Sequence, residues 1–393
     1  MNRRKLLLSA AATAASASLL PPASAQRRIT QPAYPGVYVS ELPETSVFIE
    51  RPLDVAVFVG PLASDLPTGQ IIAVSAGDPP PVEFDRAMPT LQSYFDQGGE
   101  RALLVHAAAD ASGDPDYASA LDALDARSDL AFTLLYLVDA TGPADDAGPA
   151  LTALYERALS SARNGFATLI IDAPDNAADY AAWRSRLGLT DPDIAAYAPW
   201  LINSAGETVP PGPAVMGSIM AITAADGVWK APAGLQSRIS YGTTHTPSQA
   251  EMGAMTSANT NPIWATPLNG TVLWGARTFS GSPDTRYLSV RRLQRWIEGS
   301  LPASLAWAAV LDNDATLWRE VSATLVDFLN GLYRAGALMG QTPAQSYFVQ
   351  CGLGETMTQA DIDAGKLVVL IGVAPVRPAE FIVIEYEMRI DPT

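Results

Sequence analysis

The feature that most constrains this chain is its C-terminal segment, from Phe348 to Ile390. Two apolar runs rich in β-branched residues, at 367–373 and 381–384, are separated by Pro375 and Pro378. This composition predicts two strands with a proline-bounded break. A strand at the end of a chain has unpaired backbone donors and acceptors, and such an edge is either covered or used to dock another chain. The sequence favours docking.

Composition narrows the class of protein. The 393 residues are enough for two domains or for one large domain with an insertion. Hydrophobic residues make up 48%, but no apolar run approaches the roughly 20 residues of a membrane-spanning helix. The formal net charge is -16 and there are only three lysines, whereas phosphate binding needs concentrated Lys and Arg. We therefore expect a soluble body with neither nucleic acid nor membrane as a partner.

The first 26 residues have the layout of an export signal. Basic residues 3–5 precede three leucines and an Ala/Ser-rich stretch, and Ala23-Ser24-Ala25 forms an A-x-A cleavage pattern. The alternative is an unprocessed low-complexity extension. Residues 1–26 are set apart as a signal-like N-terminal extension under either interpretation, so export remains open.

From residue 55 onward, apolar runs of strand length alternate with helical patterns. The runs are typical of strands covered on both faces and lie at 55–60, 102–105, 132–138 and 167–171. The helical patterns, with apolar positions three and four apart, lie at 91–97, 117–124, 151–163 and 177–187. This alternation predicts an α/β layer with a largely parallel sheet.

Two aspartates follow strands of this layer. Asp139 and Asp172 stand where α/β enzymes often keep catalytic or ligand-binding carboxylates. No partner residues accompany them, so the simpler interpretation is that each aspartate caps the following turn or helix. An exported α/β enzyme or binding protein with these aspartates in a pocket is retained as an alternative.

Motifs for other chemistry are missing from the sequence. His106, His245 and Cys351 lack metal-ligand spacing. The sequence contains no phosphate loop, no G-x-S-x-G elbow and no HExxH zinc motif. We therefore predict no catalytic residues, no metal site and no cofactor, and expect that the protein is not an enzyme.

Several motifs resemble those of contractile tail sheath proteins, which occur in phages, tailocins and related injection devices. They are P-G-V-Y-V-S-E at 35–41, Y-F-D-Q-G-G-E-R-A at 94–102, G-V-W-K-A-P-A at 227–233 and the long run G-K-L-V-V-L-I-G-V-A-P-V-R-P-A-E-F-I-V-I at 365–384. The resemblance spans about residues 32–393 and includes both ends of the chain.

The resemblance implies a fold class of α/β plus α+β. An outer α/β domain at 55–255 would be inserted in an inner α+β sheath domain that continues at 256–345. An N-terminal arm at 27–54 and a C-terminal segment at 346–393 would exchange strands between subunits. The residues that the resemblance assigns to this exchange are Val37, Tyr38, Val39, Phe381, Ile382, Val383 and Ile384.

The function implied by the resemblance is mechanical. Many copies would polymerise as a helical cylinder around an inner tube, and contraction would drive the tube through a target envelope. The implied partners are further copies of the chain, an inner tail tube protein, and baseplate and tail terminator proteins. The particle would be a virion tail or tail-like device assembled in the cytoplasm. A domesticated homologue that does not contract is a further alternative.

One basic cluster suits such an assembly. The helical pattern at 287–298 places Arg291, Arg292 and Arg295 away from its apolar stripe. Most such clusters are solvated or form ion pairs. In an acidic protein that stacks on copies of itself, they are also candidate contacts to a neighbouring subunit or to the tube.

Overall fold

The computed structural model describes residues 47–62, 66–78, 88–109, 113–141, 148–175, 180–376 and 382–389. Its strands are β1 Val55–Gly60, β2 Ile71–Ser75, β3 Arg101–His106, β4 Leu134–Leu137, β5 Thr168–Asp172, β6 Ile194–Ala198, β7 Leu201–Ile202, β8 Thr208–Val209, β9 Arg238–Ile239, β10 Gly242–Thr243, β11 Thr260–Thr266, β12 Gly270–Leu273, β13 Tyr347–Gln350, β14 Lys366–Val373 and β15 Ile382–Arg389. Its helices are α1 Met88–Asp96, α2 Tyr117–Asp125, α3 Pro149–Asn164, α4 Tyr180–Leu187, α5 Pro211–Asp226, α6 Gln249–Ser257, α7 Leu288–Leu305, α8 Ala315–Arg334, α9 Pro343–Ser346 and α10 Gln359–Asp363, with a 3-10 turn at Ala306–Val310 after α7.

A nine-stranded sheet forms the larger part of the described chain. Its order is β2-β3-β1-β4-β5-β6-β11-β12-β9. The six strands from β3 to β11 run parallel, and β2, β12 and β9 add antiparallel strands at the two sides. All six residues of β1 are buried, as expected for a parallel strand covered on both faces.

Helices cover both faces of this sheet. On one face α2, α3 and α4 pack over residues such as Val57 and Leu169, and on the other α1 and α5 pack over Phe58 and Ile170. Helix α5 is apolar almost all round and nearly every residue from Pro211 to Thr223 is buried, because it lies between the sheet and α1.

A second sheet, with the order β13-β14-β15, lies in the C-terminal part of the chain. Its three strands are antiparallel. One face of β14 joins α7 and α8 in a third hydrophobic core, which includes Trp296, Val321 and Val369. A small sheet of β10-β7-β8 completes the described strands.

The structure confirms the predicted alternation of strands and helices. The predicted strand at 55–60 coincides with β1, and the two C-terminal strands are present as β14 and β15. β15 is longer than predicted, because it continues to Arg389. The boundary proposed at 255/256 falls within the span of the large sheet, since β11 and β12 continue it to Leu273. The prefix at 1–26 and most of the arm at 27–54 lie outside the described residues.

Candidate assembly surface in the C-terminal region

The longest free strand edge of the described chain belongs to β15. All eight residues of β15 pair with β14, from Ile382 opposite Val373 to Arg389 opposite Lys366. No described strand pairs with its other side. An eight-residue edge strand presents backbone groups that can pair with a further strand.

The opposite edge of the sheet is only partly covered. β13 pairs with the second half of β14, from Leu370 to Val373. Beside the first half, the side chain of Thr356 donates to the Val368 carbonyl at 2.7 Å, and that of Asn313 donates to the Lys366 carbonyl at 2.8 Å. Side chains therefore satisfy acceptors that a neighbouring strand would otherwise claim, which is a way of protecting an edge.

Side chains of β14 alternate between a core face and an outer face. Leu367, Val369 and Ile371 are fully buried, whereas Val368 and Leu370 are half-buried. Gly372 breaks the pattern because the Phe348 ring lies over it, and a Cβ there would come 2.0 Å from Phe348 Cε1. A side chain at position 372 would therefore displace the Phe348 ring.

The segment from residue 47 to residue 54, which we call the strap, runs along α7. The Ile49 amide donates to Ser304 Oγ at 2.8 Å, and the same hydroxyl donates to the Ile49 carbonyl at 3.1 Å. One turn earlier in α7, Ser300 Oγ accepts from the Arg51 amide at 3.0 Å. A further turn earlier, Trp296 Nε1 donates to the Arg51 carbonyl at 2.9 Å. Residues four apart share one helix face, so these three side chains form a line that satisfies an extended backbone.

Aromatic and basic side chains hold the strap from either side. Phe48 stacks on Phe328 of α8, with ring centroids 3.6 Å apart. Arg51 donates to the Gly165 carbonyl at 2.8 Å and lies over the Phe166 ring. The strap therefore connects the C-terminal core with the loop after α3. Two of its side chains, Val47 and Ile49, are 78% and 55% exposed and form an apolar strip on its outer side.

The arginines predicted as contacts to a neighbour lie inside the chain, so that interpretation of the cluster is corrected. Arg291 and Arg295 both bind the carboxylate of Asp193, which is 1% exposed and directly precedes β6. Arg291 reaches it through Nε at 2.6 Å and Nη2 at 3.0 Å. Arg292 is also buried, and its Nη1 donates to Thr223 Oγ1 at 2.9 Å. α7 is buried on more than its apolar stripe, because it packs against the large sheet as well as against α8.

Arg291 and Arg295 stabilise the charged form of Asp193. Burial raises the pKa of Asp193, but the hydrogen bonds and charges of Arg295 and Arg291 outweigh burial, so that its pKa is below the ordinary value. The carboxylate therefore stays ionised at neutral pH and joins β6 to α7.

The two aspartates considered as catalytic carboxylates have different structural settings. Asp172 is buried, accepts from Tyr136 Oη at 2.5 Å and accepts from the Gly212 amide at 2.7 Å, at the start of α5. Burial raises the pKa of Asp172 to about 6, against the opposing hydrogen bonds. One oxygen of Asp172 therefore holds the Tyr136 side chain, and the other caps the start of α5. Asp139 has a left-handed backbone, with φ 60°, in the turn after β4.

The two histidines and the cysteine have different surroundings. His106 is buried and its Nδ1 accepts from the Leu62 amide at 3.1 Å. Nδ1 of His245 lies 3.8 Å from Oδ1 of Asp175. Burial raises the pKa of Cys351 to about 12, so its thiol is protonated at neutral pH. Among the described residues no group of three or more His, Cys, Asp or Glu could hold a metal ion. Nor is any helix in the described ranges both long and apolar enough to cross a membrane.

The family comparison falls on this same region. Residues 280–389 match the model of the phage tail sheath C-terminal domain. The chain carries a phage tail sheath C-terminal domain. This sheath domain contains α7, α8 and the sheet β13-β14-β15, which together enclose the third core. No curated protein sequence matches the chain.

Solved structures extend the similarity to about nine-tenths of the chain. The sheath complex of an extracellular contractile injection system, PVC, in its contracted state is 26% identical, with a TM-score of 0.69 over 91% of this chain and 98% of that one. A chain of the anti-feeding prophage baseplate in its contracted state is 29% identical, with a TM-score of 0.71 over 90% and 99%. A sheath tail protein from Desulfitobacterium hafniense shares the fold at 13% identity, with a TM-score of 0.62 over 90% and 100%.

Of the seven residues predicted to exchange strands, three lie in described parts of the chain and four do not. Ile382, Val383 and Ile384 lie in β15, opposite Val373, Gly372 and Ile371 of the same chain. Val37, Tyr38, Val39 and Phe381 lie outside the described residues. Sequence reasoning missed the line of Trp296, Ser300 and Ser304. Their spacing of four was readable, but two serines between apolar positions carry no signal for a bound strap.

Proposed function

We propose that the chain is the structural subunit of a contractile sheath of the injection-system type, which polymerises as a helical cylinder around an inner tube. The observation that carries the proposal is that the region matching the sheath C-terminal domain has a long edge on β15 with which no other described strand pairs. Similarity over nine-tenths of the chain to subunits of contracted assemblies supports it.

The proposed assembly mechanism is strand exchange. A strand from the arm at 27–54 of one subunit, with Val37, Tyr38 and Val39 at its centre, would pair with the free side of β15 in another. Backbone pairing of this kind gives affinity, and the outer-face side chains of the sheet give register. The same proposal takes the layer predicted at 55–255, whose sheet continues to Leu273, as an outer domain inserted in the inner sheath domain, with both termini as arms.

Contraction would be a change between two packings of subunits that remain joined by their exchanged strands. The proposed partners are further copies of the chain, an inner tube protein, and baseplate and terminator proteins at the two ends. The baseplate is supported by the similar chain in the anti-feeding prophage baseplate. The proposed place is a tail-like particle assembled in the cytoplasm. Recovery of a mature chain beginning at Gln26 outside the cytoplasm would instead show that residues 1–25 direct export.

The test is removal of the proposed docking strand. A chain truncated before Phe381 should form no tubes or rings in negative-stain images, whereas the full chain should form them with its tube protein. The large sheet should keep its far-ultraviolet circular dichroism and a cooperative thermal transition, since its contacts lie elsewhere. Removal of residues 391–393 alone is the matched control and should leave polymers of normal length. Normal polymers from the longer truncation would contradict the proposal.

A further inference from the structure

The tripeptide Leu-Asn-Gly occurs twice in this chain, in two different structural settings. Residues 268–270 lie at the tip of the hairpin formed by β11 and β12, whereas residues 329–331 lie inside α8. A third Asn-Gly pair, Asn164-Gly165, stands at the end of α3. Such a pair can react with itself, because glycine has no side chain that would keep its amide nitrogen away from the asparagine side chain.

The reaction is deamidation, in which the backbone nitrogen of the glycine attacks Cγ of the asparagine. A bond forms between these two atoms, the Cγ–Nδ2 bond breaks, and ammonia leaves. Water then hydrolyses the succinimide ring at either carbonyl. The product is aspartate, or isoaspartate, in which the main chain runs through Cγ. Water is the only co-reactant, and each product carries one more negative charge than asparagine.

The hairpin places Gly270 where this attack meets little resistance. Thr266 and Gly270 form the last pair of the β11–β12 ladder, so this pair can open without disturbing another pair. Leu268 beside it is 93% exposed. A Cβ at Gly270 would meet no atom within 4 Å, so the succinimide ring would form in open space.

The turn also retains the reactive pair. Gly270 has a φ of 73°, a left-handed conformation that favours glycine over other residues. The Thr266 hydroxyl accepts from the Asn269 amide at 2.8 Å and donates to the Gly270 carbonyl at 3.0 Å. These bonds hold the turn through the backbone of Asn269 and leave its side-chain amide out.

In α8 the helix and the core restrain the same tripeptide. Leu329 is 1% exposed, and its neighbours Phe328 and Leu332 belong to the third core. A residue inside a helix donates its amide to the carbonyl four residues earlier, and the Gly331 carbonyl accepts from the Ala335 amide at 2.9 Å. The attack at Asn330 would therefore require a turn of α8 to open first, with loss of core contacts.

The pair at the end of α3 is restrained by its neighbours. The Gly165 amide donates to the Ser161 carbonyl at 2.9 Å, and the Gly165 carbonyl accepts from Arg51 of the strap at 2.8 Å. A Cβ at Gly165 would lie 2.2 Å from Cζ of Phe132. This glycine has no room to turn toward the Asn164 side chain.

We propose that Asn269 is a site of spontaneous deamidation in the folded protein, and that the fold protects Asn330 and Asn164. The modification adds a negative charge at the exposed tip of the hairpin. Its isoaspartyl form also lengthens the main chain by one atom directly before the last pair of the ladder. The site lies on the large sheet and does not depend on the proposed role in a sheath.

The test compares the three sites within one sample of the full-length chain. The chain is incubated at mildly alkaline pH, either folded or in concentrated urea, and then digested. Liquid chromatography with mass spectrometry separates the asparagine, aspartate and isoaspartate forms of each peptide. In the folded chain Asn269 should react at least about tenfold faster than Asn330, since a tenfold difference needs only about 1.4 kcal/mol of additional opening free energy in α8.

Urea supplies the matched control. Once the chain is unfolded, Asn269 and Asn330 have the same neighbours on either side and should react at similar rates. A folded chain in which Asn269 reacts as slowly as Asn330 would overturn the proposal. So would a difference between the two sites that persists unchanged in urea, because the fold would then not be its cause.

Two variants identify the source of the added charge in the folded chain. Asn269→Gln keeps the amide but lengthens the side chain, which disfavours ring closure, so the slow appearance of acidic forms in isoelectric focusing should be largely lost. Asn330→Gln is the control and should leave that rate unchanged. Acidic forms that appear as fast in Asn269→Gln as in the unaltered chain would refute Asn269 as their source. The peptide analysis of the unaltered chain decides the matter if a variant fails to fold.

Discussion

The two main sheets of this protein differ in how far other described elements cover their faces and edges. In the nine-stranded sheet, helices cover both faces and the side strands are short, with two residues in β9 and five in β2. In the three-stranded sheet, one face packs on α7 and α8, the other is half-buried, and the edge strand β15 has eight residues. The first sheet therefore has covered faces and only short edge strands. The second has the form of a sheet that accepts further strands.

The largest effect is expected where the two regions are joined. Asp193→Asn leaves the buried Arg291 and Arg295 without a counter-ion, so the free energy of unfolding should fall by about 3–5 kcal/mol. If Asp193 couples the regions, the single unfolding transition in urea should also divide into two. Asp129→Asn, which breaks the exposed pair with Arg127, is the control and should have no measurable effect.

The same pair predicts a pH dependence. The pKa of Asp193 is lower in the folded chain than in the unfolded chain, so its stabilisation is present above about pH 4 and is lost as the pH falls through the folded pKa. The acid transition of the unaltered chain should therefore be steeper than that of Asp193→Asn. Equal acid slopes would show that the pair does not join the two regions electrostatically.

Identical valine truncations measure the difference in packing directly. Val57→Ala in β1 and Val369→Ala on the inner face of β14 should each cost about 2–3 kcal/mol, because both residues are fully buried. Val368→Ala on the outer face of β14 should cost less than about 1 kcal/mol in the unassembled chain. Urea unfolding of the three variants checks this order. A loss at Val368 as large as at Val369 would mean that the outer face is already covered within one chain.

The attachment of the strap should show a smaller effect. Ser300→Ala with Ser304→Ala removes three part-buried hydrogen bonds to the Ile49 and Arg51 backbone, at roughly 0.5 kcal/mol per bond and about 1.5 kcal/mol in all. Amide hydrogen exchange at residues 49 and 51 should accelerate roughly tenfold or more, with little change in β1. Ser257→Ala on α6 is the control. Unchanged exchange at both amides would show that the aromatic stacking of Phe48 alone holds the strap.

The smallest effect concerns a group buried in the large sheet. The folded pKa of Asp172, about 6, is above the unfolded value of roughly 4. Its contribution therefore favours the folded state at low pH, and stability falls as the pH rises from 4 to 6. Asp172→Asn keeps an acceptor for the Gly212 amide and should remove this slope. A pH-stability curve that is identical in the variant would exclude Asp172 as its source.

The sequence predicted correctly those elements whose pattern depends only on residues that are close together along the chain. Continuous apolar runs such as Val55–Gly60 report burial on both faces locally, and they were predicted correctly. β6 was missed, because three of the five residues in its sequence Ile-Ala-Ala-Tyr-Ala are alanines, which are depleted in strands. The length of β15 was underestimated, because Glu385 and Glu387 interrupt its apolar run.

The arginines of α7 show why the candidate site was harder to predict. A helical wheel places them away from the apolar stripe, and an amphipathic pattern assigns that side to solvent. Their counter-ion, Asp193, is 98 residues away from Arg291 along the chain. Only the folded chain brings Asp193 to Arg291 and Arg295, so no local pattern could have identified these ion pairs.

The direction in which the strap crosses α7 determines how it responds to a pull. Its contacts with Ser304, Ser300 and Trp296 follow one line along the helix axis. A tension applied along that axis is shared by all three contacts at once, in shear. A tension perpendicular to the helix would open them one after another, beginning at Ser304, as in peeling. The same few hydrogen bonds therefore give an attachment that resists load along α7 and releases under load across it.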